Sequence, residues 1–451
     1  MLRENEAEEK FLLRKRLRRG LAPLPEAFMR RPGLAEGRGF NPAENDGCLR
    51  FLLPSSACRD SWHNSPTVKK IVLVFFDAGG GHRAAATALD LVIRRDQRPW
   101  NVELLNLQEL LEPLDVLHKI SGLSIQDLYN RMLANRWTLG TPQLLRVLQL
   151  VIRARHSAVV SLLEAHWRRA QPDMVVSLIP HFNRALCESL ARTCPGAPFV
   201  TVLTDFADYP PHFWIERQNQ FFVCGTARAA EQARAAGCPP EHVFLASGMI
   251  LHPRFYEPIE IDRDAERRRL GLQPNLPAGL VLFGGHGSPM MLKIAKRLDR
   301  SKIEVQLIFI CGRNERLANA LRNRRARFPM FVEGFTQRVP HYMHLADFFI
   351  GKPGPGSLSE ALAMKLPVIV ERNAWTLPQE RYNADWVREQ QVGIVLQSFN
   401  QIAPGVARLI DGIPGFRERV TGSRNRAVFE VPEFLAKILE SSECKAESRP
   451  Q

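Results

Sequence analysis

The chain has no long apolar run. Its longest apolar stretches, such as Ile71 to Phe76 and Phe348 to Ile350, fall far short of the roughly 20 residues that a spanning helix requires, so no membrane-crossing helix is predicted. The eight cysteines, at 48, 58, 187, 194, 224, 238, 311 and 444, include no CxxC pair and no His/Cys cluster at zinc-ligand spacing. Reduced thiols and no bound metal are expected. The start of the chain carries Glu4, Glu6, Glu8 and Glu9 and so lacks the cationic, acid-poor character of a secretory signal or transit peptide. The expectation is a cytoplasmic protein. Composition excludes wholesale disorder and a polytopic membrane protein alike, because hydrophobic residues at 45% and charged residues at 24% are ordinary for a globular chain. The 451 residues, at about 150 per domain, allow two or three domains.

Charge is not balanced. Sixty-one Lys plus Arg against 47 Asp plus Glu leave a net +14, which favours nucleic acid, acidic lipid or a phosphate-bearing substrate as partner. Arg322-Asn-Arg-Arg-Ala-Arg327 is a compact basic run, yet no helix-turn-helix, RRM or zinc-finger signature accompanies it. A solvated helix end is the plainer reading, and no nucleic-acid partner is expected.

Residues 1–65 are rich in Pro, Gly and charge and read as a largely irregular extension, with Phe11 to Leu21 either a short basic amphipathic helix or a solvated arm. From Thr67 the pattern changes. Lys69 to Phe76 is a β-branched and aromatic strand that stops at Asp77-Ala-Gly-Gly-Gly-His82, and an Ala-rich helical pattern follows. Further strands are predicted at Val102–Leu107, Met174–Ile179, Phe199–Thr204, Gln220–Cys224 and Val243–Ala246, with residues 108–169 mainly helical. After a charged segment beyond Pro258 the theme restarts, with Gly279-Leu-Val-Leu-Phe running into Gly284-Gly-His-Gly-Ser288 and a helix at 290–299. Strands follow near Glu304–Cys311, Met330–Val332, Phe348–Gly351, Val368–Glu371 and Gly393–Val395. Alternating strands and helices with short connections predict parallel, doubly wound sheets. The organisation expected is an extension (1–65), two facing Rossmann-like α/β domains (66–258 and 259–425) with a ligand cleft between them, and a C-terminal helix and tail (426–451).

The first glycine turn contains Gly-x-Gly-x-x-Ala, a weak dinucleotide fingerprint. An NAD-dependent enzyme would also need an acidic residue at the end of the next strand, where Leu105-Asn106-Leu107 stands. His82 is more informative: a histidine at a helix start on the carboxyl edge of a sheet faces the cleft, and desolvation there keeps its imidazole neutral. It is a candidate general base, or a cap of the turn. In the second half, Gly351-Lys-Pro-Gly-Pro-Gly-Ser-Leu-Ser-Glu360 follows a strand and opens a helix. Freed amides and glycines at such a start suit a diphosphate, and Glu360, one turn in, suits a ribose. Gln379, Glu380 and Asn383 suit sugar hydroxyls or an ordinary helix start.

Taken together, Asp77-Ala-Gly-Gly-Gly-His-Arg-Ala84, Val202-Leu-Thr-Asp-Phe206, Phe222-Val-Cys-Gly225, Gly284-Gly-His-Gly287, Glu333-Gly-Phe335, Lys352-Pro-Gly-Pro-Gly356 and Gln379-Glu-x-x-Asn383 resemble the monogalactosyldiacylglycerol synthase and diacylglycerol glucosyltransferase family, in the right order over roughly residues 68 to 400. That family is more distantly related to the N-acetylglucosaminyltransferase of peptidoglycan lipid synthesis. The resemblance implies a GT-B fold and inverting transfer of galactose or glucose from a UDP-sugar to diacylglycerol, with no cofactor and no metal. It places Phe335 and Thr336 at uracil, Glu360 at the ribose, Gly356, Ser357, Gly285 and Ser288 at the diphosphate, and Gln379, Glu380 and Asn383 at the hexose. His82 becomes the base, Asp205 an orienting or alternative base, and Gly80, Gly81 and His181 line the acceptor side.

Two departures bear on the acceptor. Ala78 stands where Thr or Ser is frequent, and Pro180-His-Phe-Asn-Arg184 matches the family loop only in part. A polyprenyl-linked acceptor with UDP-N-acetylglucosamine is the alternative, and a UDP-sugar-binding protein without catalysis is a third reading. Asp262-Arg-Asp264 spells the DxD of metal-dependent transferases of another fold, but its place before a helix predicts capping. An enzyme acting on diacylglycerol must meet a bilayer. The apolar residues between 112 and 140 are a candidate inserting hairpin, or ordinary core. Arg146, Arg153, Arg155, Arg168 and Arg169 suit an anionic surface, so a peripheral position on the cytoplasmic face is expected.

Overall fold

The alternating pattern builds two parallel sheets of six strands each. In the computed structural model, residues 68–77, 80–112, 149–422 and 424–447 are described, and all of them fall in one compact body. The first sheet comprises β1 (Lys69–Phe75), β2 (Trp100–Asn106), β3 (Met174–Ser177), β4 (Phe199–Val202), β5 (Phe221–Cys224) and β6 (Val243–Leu245). The second comprises β7 (Ala278–Leu282), β8 (Gln306–Ile310), β9 (Met330–Glu333), β10 (Phe348–Gly351), β11 (Val368–Glu371) and β12 (Gly393–Leu396). Their orders are β2-β1-β3-β4-β5-β6 and β12-β11-β10-β7-β8-β9. The strands are shorter than their apolar runs suggest, because residues such as Leu107 and Leu178 stay buried after the ladder has ended.

Central strands buried on both faces need continuous apolar sequence, and Ile71–Phe75, Leu280–Leu282 and Phe348–Ile350 are all buried. The Ala-rich helix Gly81–Arg95 lays Ala85, Ala86, Ala88, Leu89, Val92 and Ile93 on the first sheet. Small side chains there permit close approach of helix to strand. The inferred capping at Asp262 is present: its carboxylate accepts from the amides of Asp264 and Ala265 at 3.0 Å each and starts the helix Arg263–Arg269.

The final helix, Ala427–Glu447, does not stay with the second sheet. Val428, Val431, Leu435, Ile438 and Leu439 form one helical stripe, and that stripe is buried with the first sheet and its helix Gly81–Arg95. The two sheets are thereby joined at several points, by this returning helix, by the segment around Pro253–Phe255, and by the edge contact of Phe206 with Trp386 at 5.1 Å between ring centroids. The hairpin expected within 112–140 lies, from residue 113 onward, outside the described residues.

Candidate active site

Ligands of open α/β sheets bind beyond the carboxyl ends of the strands, where the strand order reverses. In the first sheet that point lies between β1 and β3, so the loops after them, 76–80 and 178–182, define it. Gly80 starts the helix there with φ 80°, a left-handed conformation that a side chain would resist. It turns the chain so that His82 enters the cleft one residue inside the helix. His82 Nδ1 lies 3.1 Å from the Thr204 hydroxyl, and the ring packs 5.9 Å from that of Trp214. The residue is half-buried, and burial among protein atoms pushes the pKa down to about 4, against a smaller upward pull from the Leu178 carbonyl. The imidazole is therefore neutral at physiological pH.

Asp205 also meets Trp214 and accepts from its indole N–H at 2.9 Å. Burial raises the Asp205 carboxyl to about 7; the Trp214 bond opposes this, Glu380 adds to it and Lys352 opposes it. The last two belong to the second sheet, so residues of the two halves act on one another across the cleft. His181 adopts φ 71° and its amide donates to the Phe213 carbonyl at 2.8 Å, which sets its ring against Phe213 at 4.3 Å. Burial also pushes its pKa down to about 4. His82, His181, Phe213 and Trp214 thus form a largely uncharged wall, and a side chain at Gly80 or Gly81 would meet nothing within 4 Å.

In the second sheet the order reverses between β7 and β10. The loops that follow them meet: a side chain at Gly284 would reach Lys352 Cε at 4.0 Å. Gly285 is held from behind, its carbonyl accepting from the Arg313 amide at 2.8 Å. Gly312, at φ 59°, approaches so closely that a Cβ would sit 2.2 Å from that carbonyl. Ser288 Oγ accepts from the Met290 amide at 3.2 Å at the start of the next helix. After β10, helix Pro355–Ala363 begins with Gly356 and Ser357. First-turn amides have no intrahelical acceptor, and a side chain at Gly356 would meet nothing within 4 Å, so this start has the open geometry of a cradle that can hold an anion.

Around the cradle, Lys352 Nζ donates to Glu380 Oε1 at 2.7 Å, directly over Gly354. Glu360 is raised to about 7 by burial, with Arg254 pulling the other way. Phe335 is exposed, and the Arg313 guanidinium lies over its ring at 4.9 Å. Thr336 accepts from the Arg338 amide at 3.0 Å. Gln379 stands beside the Lys352–Glu380 pair in the chain, in the short helix Pro378–Glu380. Asn383 is fully buried, and its Nδ2 donates to the Pro353 carbonyl at 2.8 Å. That bond ties Asn383 to the Pro353–Gly354 turn, while its Oδ1 is buried without a hydrogen-bond partner among the described residues.

Trp214, Thr204 and Lys352 complete the constellation and were not singled out from the sequence. Lys352 lies in the glycine-proline loop after β10 and carries the one cationic side chain of that loop. Trp214 sits nine positions after Asp205 across an irregular loop, so no periodicity links the two.

Comparison with known proteins decides the assignment. Residues 280–402 match the Glycosyltransferase family 28 C-terminal domain. The chain is 28% identical over 352 residues to probable monogalactosyldiacylglycerol synthase 2, chloroplastic, of Oryza sativa subsp. japonica, covering 75% of this chain and 73% of the relative. With monogalactosyldiacylglycerol synthase 1, chloroplastic, of Arabidopsis thaliana it shares 26% identity over 395 residues, covering 82% and 70%. Acinetobacter baumannii MurG superposes with a TM-score of 0.55 at 12% identity, over 82% of this chain and 99% of that one. This is a GT-B hexosyltransferase related to the monogalactosyldiacylglycerol synthases. The enzyme is UDP-sugar-dependent, and its two switch-point loop sets face one cleft, as the GT-B arrangement requires.

Proposed function

We propose that this hexosyltransferase moves one hexose from a UDP-sugar to the free hydroxyl of 1,2-diacylglycerol with inversion, forming a β-glycosyl diacylglycerol. The observation that carries this reading is the opposition of an uncharged His82 wall to the cradle of Lys352, Gly356 and Ser357. His82 takes the proton of the acceptor hydroxyl. The acceptor oxygen then bonds to the anomeric carbon as the bond from that carbon to the diphosphate oxygen breaks on the opposite face. UDP leaves with the electron pair, and its charge falls on the helix start at Gly356 and on Lys352. Phe335 and Thr336 meet uracil, Glu360 the ribose, Gly285 and Ser288 the phosphates, and Gln379 and Glu380 the hexose. No cofactor enters this scheme.

The names of the plant relatives make galactose the first donor and diacylglycerol the first acceptor to try. Among the described residues no helix is long and apolar enough to cross a membrane. On the net charge of +14 we assign peripheral contact with an anionic surface, and we place it on the cytoplasmic side. Arg153, Arg155, Arg168 and Arg169 are exposed on the first domain, with Arg168 also paired to Glu164 at 2.9 Å.

The test is product formation by the purified chain with diacylglycerol in anionic vesicles, offering UDP-galactose, UDP-glucose and UDP-N-acetylglucosamine separately. A β-glycosyl diacylglycerol from one donor is expected. Reaction only with a polyprenyl-linked acceptor would overturn the lipid assignment.

A second outcome concerns pH. The ribose hydroxyls donate to an ionised Glu360, so a carboxyl near 7 in the free enzyme must lose its proton for full affinity. UDP-galactose binding is expected to tighten as pH rises from 6 to 8, by up to about tenfold per unit below the pKa. UDP-galactose itself has no phosphate proton to lose in that range. Glu360→Gln is expected to bind more weakly and without this slope, as measured by calorimetry.

A further inference from the structure

Arg254 lies outside every glycine motif, in the short helix Pro253–Phe255 that follows the first sheet. Its neighbours Pro253 and Phe255 are buried, which fixes the backbone from which the side chain departs. The guanidinium does not fold back on its own element. It crosses to the second sheet's side and donates from Nη1 to the Gln337 carbonyl at 3.0 Å. Gln337 follows Phe335 and Thr336 in the loop after β9. The same guanidinium is the charge that acts on Glu360, and it does so in opposition to burial.

Other cations near that helix are engaged elsewhere. Arg417, on the helix Ile413–Gly422 that packs against the Glu360 helix, is bound to Asp347 at 2.8 Å. Lys352, in the preceding loop, is bound to Glu380. Arg313 lies over Phe335. Arg254 thus contacts the loop assigned to uracil and acts on the carboxylate assigned to the ribose, while its backbone belongs to the segment joining the two halves.

We propose that Arg254 is a positioning residue for the donor nucleotide, clamping the Phe335–Gln337 loop to the interdomain segment and presenting its positive charge to Glu360. The proposal rests on the donor site described above. Donor binding then depends on where the interdomain segment lies, which couples nucleotide occupancy to the relative setting of the two halves. A purely structural arginine would hold the loop but would leave the ionisation of Glu360 unchanged.

The test is calorimetric binding of UDP-galactose from pH 5.5 to 8.5 for wild type, Arg254→Gln, Arg254→Lys, Glu360→Gln and the Arg254→Gln/Glu360→Gln pair. In Arg254→Gln the pH midpoint of affinity is expected to rise by about half a unit or more, because an opposite charge nearby favours the carboxylate. Arg254→Lys keeps the charge and is expected to return the midpoint to within a few tenths of a unit of wild type. In the Glu360→Gln background the Arg254 change is expected to shift no midpoint. A wild-type midpoint that Glu360→Gln abolishes but Arg254→Gln leaves in place overturns the proposal alone. Absence of UDP-galactose binding to wild type, or a pH slope that survives Glu360→Gln, overturns the donor-site reading and the proposal with it.

Discussion

His82→Ala is expected to lower kcat by about 10² to 10⁴, the usual contribution of a positioned general base, while leaving UDP-galactose affinity within a factor of about two. The split follows from geometry, since His82 belongs to the first sheet and the nucleotide cradle to the second. With a pKa near 4, His82 is unprotonated throughout pH 5.5 to 8.5 and its own titration puts no inflection there. Asp205, held near 7, does titrate in that window. If its carboxylate assists, the wild-type rate rises with pH through about 7 and Asp205→Asn flattens the profile. Steady-state rates with vesicular diacylglycerol at saturating UDP-galactose, where donor binding through Glu360 no longer limits, check both. A kcat for His82→Ala within tenfold of wild type would transfer the role of base to Asp205, whose Oδ2 is engaged by Trp214 while Oδ1 remains to accept a proton.

The pairing of these groups shows what a linear sequence can and cannot convey. Both switch points were legible, because each is written locally as an apolar strand, glycines and a helix start, with the decisive residues one or two turns away. His82, Gly356 and Glu360 could be placed without knowing what lay opposite. Trp214 could not, since its relation to His82 and Asp205 is made by an irregular stretch in which the buried Asp208 carboxylate accepts from the amides of Phe213 and Trp214. That buried cap fixes the backbone from which the indole reaches Asp205. Asn383 was legible as polar and near the site, but its complete burial against Pro353 is a packing outcome that residue type does not encode.

The final helix is a similar case. Its stripe from Val428 to Leu439 announces an apolar face, yet the stripe would fit either sheet. What decides is the path just before it: Asn425 Nδ2 donates to the Met249 carbonyl at 2.9 Å and Ser247 Oγ accepts from the Arg426 amide at 2.7 Å. These contacts return the chain to the first half beside the segment that carries Arg254. The joint between the halves is therefore doubled, and Arg254 reports on a region fixed by both crossings.

Asp347→Ala is expected to cost about 3 to 5 kcal/mol, the range found when one member of a buried ion pair is removed. Asp347 precedes β10 at the end of the sheet away from the cleft. Its Oδ1 accepts from Arg263 and Arg417 at 2.8 Å each, and its Oδ2 from Arg267 at 2.7 Å and the Ala278 amide at 2.9 Å. The arms are unequal. The Arg263 and Arg417 side chains are 33% and 41% exposed, so water readily replaces the carboxylate for them. The Arg267 side chain is only 2% exposed and would be left as a buried cation with carbonyl partners alone, those of Leu345, Pro274 and Leu276. Burial pushes the Asp347 carboxyl up, but the Ala278 amide and the Arg263 and Arg267 guanidiniums outweigh it and hold the group at about 2. A depressed carboxyl contributes stability above its unfolded value and loses it as pH falls through the folded one. The contribution is therefore complete above roughly pH 4 and disappears toward pH 2. Thermal unfolding at pH 7 is expected to show Tm lowered by roughly 4 to 6 °C in Asp347→Ala, and nearly as much in Asp347→Asn, which keeps the shape but not the charge. The loss should shrink between pH 4 and 2, while UDP-galactose binding at low temperature stays unchanged because the network lies at the opposite end of the strands. A Tm within 2 °C of wild type at pH 7 would mean that Arg267 is satisfied by its three carbonyls without the carboxylate.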